Sequence, residues 1–317
     1  MGEPEVTVSA TTGARVLALV GPTASGKSAL ALGLSRVLPI EIVSCDSLMV
    51  YAGMDIGTGK PTPAERAEVP HHLLDVVTPA EPFHAARWAA LARQAIGEAA
   101  GRGRLPVIVG GTGLYLRALL SGLFKAPPPD ETIRRRHREE AEREGTAALH
   151  ARLAGIDPQA AARIDARDLM RISRALEIFE QTGETITTLH ARAAPPAPVD
   201  CRTVVLDPSL DELRPAIDRR FDGMMSAGLL DETRALRVAW GVTARPLQAL
   251  GYKQMGELLD GILAEEAAVS AAKAATVGYA RRQRTFFRKF PAAWRASVVP
   301  PPEALLGWWR EGAPARE

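Results

Sequence analysis

The chain has 317 residues, of which 46% are hydrophobic, and a formal net charge of +2 at pH 7. This composition is ample for a core and fits one large α/β domain with an insertion, or two domains. No apolar stretch approaches the ~20 residues of a membrane span, so no membrane partner is expected. Cys45 and Cys201 are too few for a disulfide framework or a cysteine metal site, and they favour a reducing cytoplasm. The N-terminus carries Glu3 and Glu5 and lacks the basic and apolar regions of a secretory signal.

The first part of the chain alternates short apolar strands with helices. A polar lead-in over residues 1–14 precedes predicted strands at Val16–Val20, Ile40–Val43 and Leu105–Val109. Residues Ala85–Ala100 are predicted to form a helix between the second and third strands. Such alternation predicts a parallel sheet covered by helices on both faces, with ligands bound beyond the carboxyl ends of the strands.

The second part is mostly helical. Proline clusters at Pro127–Pro129 and Pro195–Pro198 flank residues 130–190, which are predicted to be almost wholly helical. These proline-rich hinges predict an insertion that can move relative to the sheet. A further strand at Thr203–Leu206 and helices over 209–290 follow, and the tail containing Trp308 and Trp309 is expected to be peripheral. We therefore predict an α/β P-loop protein, a parallel sheet flanked by helices, with core segments 1–125 and 199–317 and a helical insertion domain over 126–198.

Residues Gly21–Ser28 read GPTASGKS, a complete G-x-x-x-x-G-K-[ST] loop placed between a buried strand and a helix. In such loops backbone N–H groups surround phosphate oxygens at the positive end of a helix. Lys27 is expected to meet the terminal phosphates, and Ser28 to ligate Mg²⁺. The sequence thus predicts binding of a phosphorylated ligand by the loop residues Gly21, Pro22, Thr23, Ala24, Ser25, Gly26, Lys27 and Ser28.

Two further loops follow predicted strands. Asp46 closes the second strand, where it is either an acid near the metal and acceptor or an ordinary helix N-cap. The glycine-rich loop Val50–Pro61 comes next and is typical of loops that hold ligands. Thr112 lies in the turn Gly110–Gly113 and could hydrogen-bond a phosphate or the transferred group. His71 and His72 lack a third ligand at metal-site spacing, and His72–Asp75 is expected to be a strand.

The charge distribution is more informative than the net charge. From Arg281 to Arg295 the sequence RRQRTFFRKFPAAWR has six basic residues and no acidic residue. Arginines interleaved with aromatic rings are typical of surfaces that grip phosphates and stack bases, and looped RNA presents such bases. A second basic run, Arg134–Arg143, shares its predicted helix with glutamates and fits either RNA contact or an ordinary mixed-charge surface.

Together these motifs resemble the tRNA dimethylallyltransferase family over about residues 15–290. The resemblance is carried by long motifs in order: GPTASGKS (21–28), SCDSLMVYAGMDIGTGKP (44–61), HHLLD (71–75), VGGTGLY (109–115), DLMRISRALEIF (168–179), RFDGMM…GLLDE (220–232), LGYK (250–253) and YARRQRTFFR (279–288).

The resemblance implies transfer of a dimethylallyl group from dimethylallyl diphosphate to the exocyclic amine of the adenosine 3′ of the anticodon in the tRNA anticodon stem-loop. It implies Asp46 as general base, Thr112 near the transferred group, Arg220 or its neighbour Arg219 at the diphosphate, and Mg²⁺ at Ser28. A monomer is expected. The implied tRNA contacts are Asp46, Ser47, Leu48, Met49, Thr112, Arg134, Met170, Arg171, Ile172, Ser173, Arg174, Gln248, Gly251, Tyr252, Lys253, Arg281, Arg282, Gln283, Arg284, Phe286 and Arg288.

The sequence departs from the family pattern at Leu48 and Met49, where an Arg-Gln pair is usual. Any tRNA contact carried by those two side chains is therefore in question. Gly59 replaces a usual alanine, and Phe286 a usual tryptophan. The alternatives are a small-molecule kinase that uses the loop for ATP, a prenyltransferase for free adenine nucleotides, and a non-catalytic RNA-binding module.

Overall fold

The computed structural model describes residues 13–124 and 126–311. Most of the polar lead-in, including Glu3 and Glu5, lies outside this part. The described chain divides into two compact units, one formed by residues up to Leu120 and from Ala197 onward, and one by Ser121–Pro196. None of the helices in the described ranges is long and apolar enough to span a membrane.

The first unit is built on a six-stranded sheet in the order β3-β2-β4-β1-β5-β6. Every neighbouring pair of strands is parallel, which confirms the predicted α/β class. The central strand β1 pairs with β4 on one side and β5 on the other. The strands are β1 Arg15–Val20, β2 Ile40–Cys45, β3 His71–His72, β4 Leu105–Gly110, β5 Asp200–Leu206 and β6 Trp294–Ala296.

Helices cover both faces of this sheet. They are α1 Lys27–Ser35, α2 Pro63–Glu68, α3 Ala85–Gly101, α4 Gly113–Ser121, α10 Leu210–Ser226, α11 Leu229–Trp240, α12 Tyr252–Leu259, α13 Glu265–Arg288 and α14 Pro302–Glu311, with a 3-10 helix at Arg245–Gln248. Side chains of β1 alternate between the faces: Val16 and Ala18 pack in the apolar cluster with α3, and Leu17 packs in the cluster with α1.

Two expectations about this unit are wrong. The C-terminal tail is not peripheral, because Trp308 and Trp309 on α14 are only 7% and 9% exposed and pack against the α1 face of the sheet. The strand expected over His72–Asp75 ends at His72, because Leu73 and Asp75 have left-handed backbone angles (φ 62° and 56°) that no strand contains.

The amino ends of β2 and β3 carry a buried carboxylate. Glu41 is 2% exposed, and its oxygens accept hydrogen bonds from Nε and Nη2 of Arg102 at 2.9 and 2.7 Å. Nε2 of His72 lies 2.6 Å from the same carboxylate. The Arg102 hydrogen bonds, together with that from His72, lower the pKa of Glu41 to about 2 against the cost of burial. The site thus favours the charged form of Glu41.

Replacing Glu41 by glutamine should lower the free energy of unfolding by about 1–2 kcal/mol at pH 7, a modest value because Arg102 is half exposed. An unfolded glutamate titrates near pH 4.3, so the stabilisation is complete above that pH and is lost as pH falls towards 2. Urea unfolding of both proteins at pH 7 and pH 3 measures this. An equal difference in free energy at the two pH values would show that the charge of Glu41 does not stabilise the fold.

The second unit is helical. Its helices are α5 Glu131–Glu144, α6 Thr146–Ile156, α7 Pro158–Ala161, α8 Leu169–Thr182 and α9 Ile186–Arg192. Leu149, Leu153 and Leu176 form its apolar core. Glu177 on α8 is fully buried and accepts hydrogen bonds from Arg134 and Arg174. This pairing satisfies a buried charge and ties α5 to α8.

Candidate active site and nucleic-acid interface

A cavity of about 460 Å³ lies at the carboxyl ends of β1, β2 and β4 in the first unit. Its lining combines three loops that follow strands in the sequence: the P-loop, the segment from Asp46 to Met49, and the glycine turn after β4. Helices α10 and α13 contribute the opposite wall, including Arg220, Tyr279 and Arg282. The structure therefore brings together Thr23, Lys27, Ser28, Asp46 and Arg220, whereas Thr112 is not part of the lining and bonds the lining residue Ser47.

The P-loop has the backbone form of an anion cradle. Gly26 precedes α1 with φ 85°, a left-handed conformation that glycine adopts without strain. No side chain in the described part of the chain caps the first turn of α1, so its amide groups are available to an anion. Nζ of Lys27 donates to the carbonyl oxygen of Pro22 and, at 3.1 Å, to Oγ of Ser25. Ser28 is exposed and lines the cavity.

The electrostatics of Lys27 are those of a site prepared for negative charge. Burial, reinforced by the positive charge of Arg220, lowers the pKa of Lys27 to about 7, while Asp46 opposes the shift. Desolvation also lowers the pKa of Arg220. The charge of Asp46 thus only partly offsets the burial of the two cationic groups that face the cavity, and an anion placed between Lys27 and Arg220 would be stabilised by both.

Arg220, and not Arg219, lines the cavity. Its Nη2 donates to the carbonyl oxygen of Thr58 at 3.0 Å, and its Nη1 donates to Oγ1 of Thr23 at 3.4 Å. The guanidinium group therefore connects α10 to the P-loop and to the glycine-rich loop. Both arginines are exposed, so what distinguishes Arg220 is its position in the cavity lining and its contacts with Thr23 and Thr58.

Asp46 and Thr112 shape one turn at the end of β2. Oδ1 of Asp46 accepts hydrogen bonds from the amides of Leu48 at 2.8 Å and Met49 at 3.3 Å. Oγ1 of Thr112 accepts from the amide of Ser47 at 3.1 Å, which joins the glycine turn to this segment. Asp46 is not a helix N-cap, because it closes a turn and the next helix begins only at Pro63. Its side chain lines the cavity, and its role as an acid near the acceptor stays a prediction.

Cys45 and Tyr279 both lie near Asp46, but only the side chain of Tyr279 reaches the cavity. Cys45 is 1% exposed, and burial raises the pKa of its thiol, with the charge of Asp46 adding to the shift, so it is an unreactive packing residue. Tyr279 on α13 lines the cavity and interacts with the side chain of Thr112; burial raises its pKa, and the hydroxyl stays neutral. Sequence reasoning missed Tyr279 as a site residue, although it lies one helical turn from Arg282 and Gln283.

The glycine-rich loop Val50–Pro61 is held over the site by side chains from distant elements. Nζ of Lys60 is buried and donates to the carbonyl of Tyr51 at 2.6 Å and to Asp55 and Asp75. Glu232 on α11 accepts from the amides of Asp55, Ile56 and Gly57 at 2.7–3.0 Å and from the hydroxyl of Tyr252 at 2.6 Å.

These contacts assign structural roles that the sequence did not reveal. Tyr252 is 1% exposed, and burial with the Glu232 hydrogen bond raises its pKa. Its hydroxyl binds Glu232, which in turn holds the loop amides, and its side chain is too buried to contact RNA. The sequence analysis did not identify Glu232 as a site residue. The amides that it binds lie more than 170 positions away, so no local pattern in the sequence indicates this role.

The segment Arg281–Arg288 forms the last turns of α13, and its side chains divide into two groups. Arg281, Arg282 and Arg288 are exposed. Gln283 is buried, and Nε of Arg284 is paired with Asp207 at 2.5 Å. Phe286 is partly buried, beside Phe287 and Phe290 and under the guanidinium group of Arg117.

The other expected tRNA contacts of this unit are distributed unevenly. Ser47, Leu48 and Met49 line the cavity, as does Gln248, which is exposed. Gly251 is buried, whereas Lys253 is exposed and lies 3.8 Å from Glu257.

In the helical unit, the expected contacts also differ in accessibility. Met170 is 84% exposed and Arg171 is exposed beside it. Ile172 and Ser173 are buried, with Oγ of Ser173 against Nδ1 of His137, and their side chains offer no surface to a nucleic acid. Arg134 and Arg174 are engaged with Glu177, as described above.

Comparison with known proteins identifies relatives over most of the chain. The sequence model of the family described as IPP transferase matches residues 49–290, and that described as isopentenyl transferase matches residues 14–76. The tRNA dimethylallyltransferase of Anaeromyxobacter dehalogenans is 48% identical over 295 residues, covering 92% of this chain and 97% of the relative. That of Aromatoleum aromaticum is 48% identical over 286 residues, covering 89% of each.

Solved structures agree. The tRNA isopentenylpyrophosphate transferase of Bacillus halodurans is 37% identical, with a TM-score of 0.66 over 94% of this chain and 97% of that one. A eukaryotic dimethylallyltransferase acting on tRNA has the same fold at 23% identity, with a TM-score of 0.75 over 96% of this chain and 81% of that one. The family match over residues 49–290 and the identity to relatives over nine-tenths of the chain show that the chain belongs to the IPP transferase family.

Proposed function

We propose that this protein transfers a dimethylallyl group from dimethylallyl diphosphate to the exocyclic N(6) amine of the adenosine immediately 3′ of the anticodon in tRNA. The observation that carries the proposal is one cavity that combines a phosphate loop, two cations and a carboxylate, and that is lined by Arg282 from the basic aromatic segment. The names of the relatives, tRNA dimethylallyltransferases, support the choice of substrates.

In this proposal the P-loop binds the diphosphate of the donor. Amides at the start of α1, Lys27 and Arg220 bind its oxygens and stabilise the charge that develops as it departs. The exposed Ser28 lines the same cavity, and its hydroxyl is an oxygen donor of the kind that Mg²⁺ takes together with phosphate oxygens. The metal ion, held through Ser28, neutralises part of the diphosphate charge when it is bound.

The transfer is a displacement at carbon. The adenine amine forms a bond to C1 of the dimethylallyl group while the C1–O bond to the diphosphate breaks, and the leaving oxygen keeps the electron pair. Asp46 takes the proton that the nitrogen loses. The neutral hydroxyls of Thr112 and Tyr279 interact with one another beside Asp46 and orient the acceptor base.

The tRNA is bound mainly through exposed cationic side chains. Arg281, Arg282 and Arg288 on α13 suit phosphate contacts, and the base enters the cavity after it leaves its stack. The helical unit has exposed side chains of its own for tRNA contact, Met170 and Arg171. We further propose that the protein acts as a monomer in the cytoplasm, where tRNA is available.

The experiment is incubation with labelled dimethylallyl diphosphate, Mg²⁺ and unmodified tRNA whose target nucleotide is adenosine or guanosine. Label should enter only the adenosine tRNA. Label in AMP but not in tRNA would instead indicate a prenyltransferase for free nucleotides. Phosphoryl transfer from ATP without prenyl transfer would indicate a kinase, and RNA binding without turnover a binding module.

The adjacent arginines of α10 provide a matched pair of variants. Arg220→Gln should weaken the binding of inorganic diphosphate by about 10- to 100-fold, because a charge-assisted hydrogen bond contributes roughly 1.5–3 kcal/mol. Arg219→Gln removes the same charge from a side chain that does not line the cavity, and it should change the dissociation constant less than about twofold. Calorimetric titration of both variants with diphosphate measures this. Equal losses of diphosphate affinity in the two variants would show that only the net charge of the protein affects binding.

A further inference from the structure

Gln283 connects the two loops on which the proposed reaction depends. It lies on α13 between exposed Arg282 and Asp207-bound Arg284, yet it is only 6% exposed. Its Oε1 accepts a hydrogen bond from the amide of Thr23 in the P-loop at 2.8 Å. Its Nε2 donates to the carbonyl oxygen of Gly111 at 3.0 Å. One buried amide group therefore holds the phosphate loop and the turn that carries Thr112.

The packing at this point leaves no spare volume. A Cβ atom at Gly111 would collide with Nε2 of Gln283 and lie 3.0 Å from the carbonyl oxygen of Gly21. Glycine at position 111 thus allows the P-loop, the glycine turn and the Gln283 amide to meet. The spacing between the two loops is set by this contact, because interior packing resists small displacements.

The peptide unit between Pro22 and Thr23 is restrained from both sides. Its carbonyl oxygen accepts from Nζ of Lys27, and its N–H donates to Gln283. The next residue, Ala24, has a left-handed φ of 62°, a conformation that costs energy for alanine and needs external support.

We propose that Gln283 is a positioning residue that fixes the distance between the diphosphate cradle and the turn bearing Thr112, and that it does not contact tRNA. The proposal rests on the proposed function, since an in-line displacement is sensitive to small misplacement of its reactants. It also separates Gln283 from its neighbours Arg281 and Arg282, whose exposed side chains face RNA.

The test is Gln283→Met, which keeps the length of the side chain and removes both hydrogen bonds. Inorganic diphosphate binding without tRNA should weaken by about tenfold, and kcat with saturating tRNA should fall by about 10- to 100-fold. The dissociation constant for tRNA should stay within about twofold of wild type. Arg281→Gln is the matched variant on the same turn, and it should weaken tRNA binding alone.

Two further variants separate positioning from general loss of stability. Ala268→Gly destabilises α13 about four turns away from the site and should leave diphosphate binding and kcat unchanged. Gly111→Ala perturbs the same contact from the other side and should reproduce the Gln283→Met pattern. Weaker tRNA binding with normal diphosphate binding in Gln283→Met would overturn the proposal. Losses of diphosphate affinity and kcat in Ala268→Gly as large as those in Gln283→Met would also overturn it.

The diphosphate titrations also keep this proposal separate from the proposed function. If the wild-type protein transfers no dimethylallyl group, the function is wrong, whereas the effect of Gln283→Met on diphosphate binding still reports the restraint on the P-loop.

Discussion

Replacing Asp46 by asparagine is expected to slow prenyl transfer by at least tenfold and, from the usual contribution of a general base, by roughly 10²–10⁴-fold. The substitution is nearly isosteric. Its Oδ1 can still accept hydrogen bonds from the amides of Leu48 and Met49, so the turn after β2 should keep its shape. The variant loses only the negative charge and the ability to take a proton from the adenine amine.

Single-turnover measurements with saturating donor and tRNA isolate this step from binding and product release. The tRNA dissociation constant should stay within about twofold of wild type, because the surface arginines of α13 are unchanged. Asp218→Asn removes one exposed carboxylate from α10 and serves as the charge control. A single-turnover rate equal to that of wild type would remove Asp46 from the mechanism.

Replacing Lys27 by methionine is expected to cause the second large loss of activity. Stabilisation of a departing anion by one preorganised cation or donor contributes about 10²–10³-fold to the rate, and Lys27 also binds the ground-state diphosphate. We therefore expect kcat to fall by about 10²-fold, with weaker donor binding in addition. The apolar side chain still fills the buried position, so unfolding temperature distinguishes this loss from misfolding.

The pH dependence of donor binding tests the same residue. Burial and Arg220 lower the pKa of Lys27 to about 7 in the empty protein, whereas a bound diphosphate favours the charged amine. Below pH 6 the amine is already charged and contributes no pH dependence. Above pH 7 binding must take up a proton, so affinity should fall by up to about tenfold per pH unit between pH 7 and 9.

Calorimetry at pH 8 in two buffers of different ionisation enthalpy measures the proton uptake directly. Lys27→Arg is the control, because a guanidinium group stays charged over this range and should flatten the dependence. If the wild-type protein and Lys27→Arg show the same proton uptake, the titrating group is not Lys27.

Local sequence was sufficient for the fold class and for the centre of the site. The apolar run of β1 and the eight residues of the P-loop are contiguous, so their interactions are mostly with near neighbours. Asp46 and Thr112 each follow a strand directly, and parallel strands place their carboxyl ends at one edge of the sheet. That the two segments meet was therefore predictable from position alone: Asp46 lines the cavity, and Thr112 accepts a hydrogen bond from the amide of the next residue, Ser47.

Other features depend on pairs of residues far apart in the chain. Gln283 bonds a residue 260 positions away, and nothing in its own neighbourhood distinguishes it from the arginines on either side. Glu232 meets Ile56 across 176 positions. Trp308 and Trp309 were expected at the periphery and instead complete one face of the sheet. Each outcome requires knowledge of which elements pack together, and a single sequence does not contain it.

By itself, the sequence determined the phosphate loop, the parallel α/β class, the helical character of the second unit and the residues at the ends of the strands. Only the tertiary structure decided which side chains of a helix reach the site. Adjacent residues on a helix point about 100° apart, so Arg220 lines the cavity while Arg219 does not. Ile172 is buried two positions from exposed Met170 for the same reason. Composition names the residues of a functional helix, and packing determines the direction in which each one points.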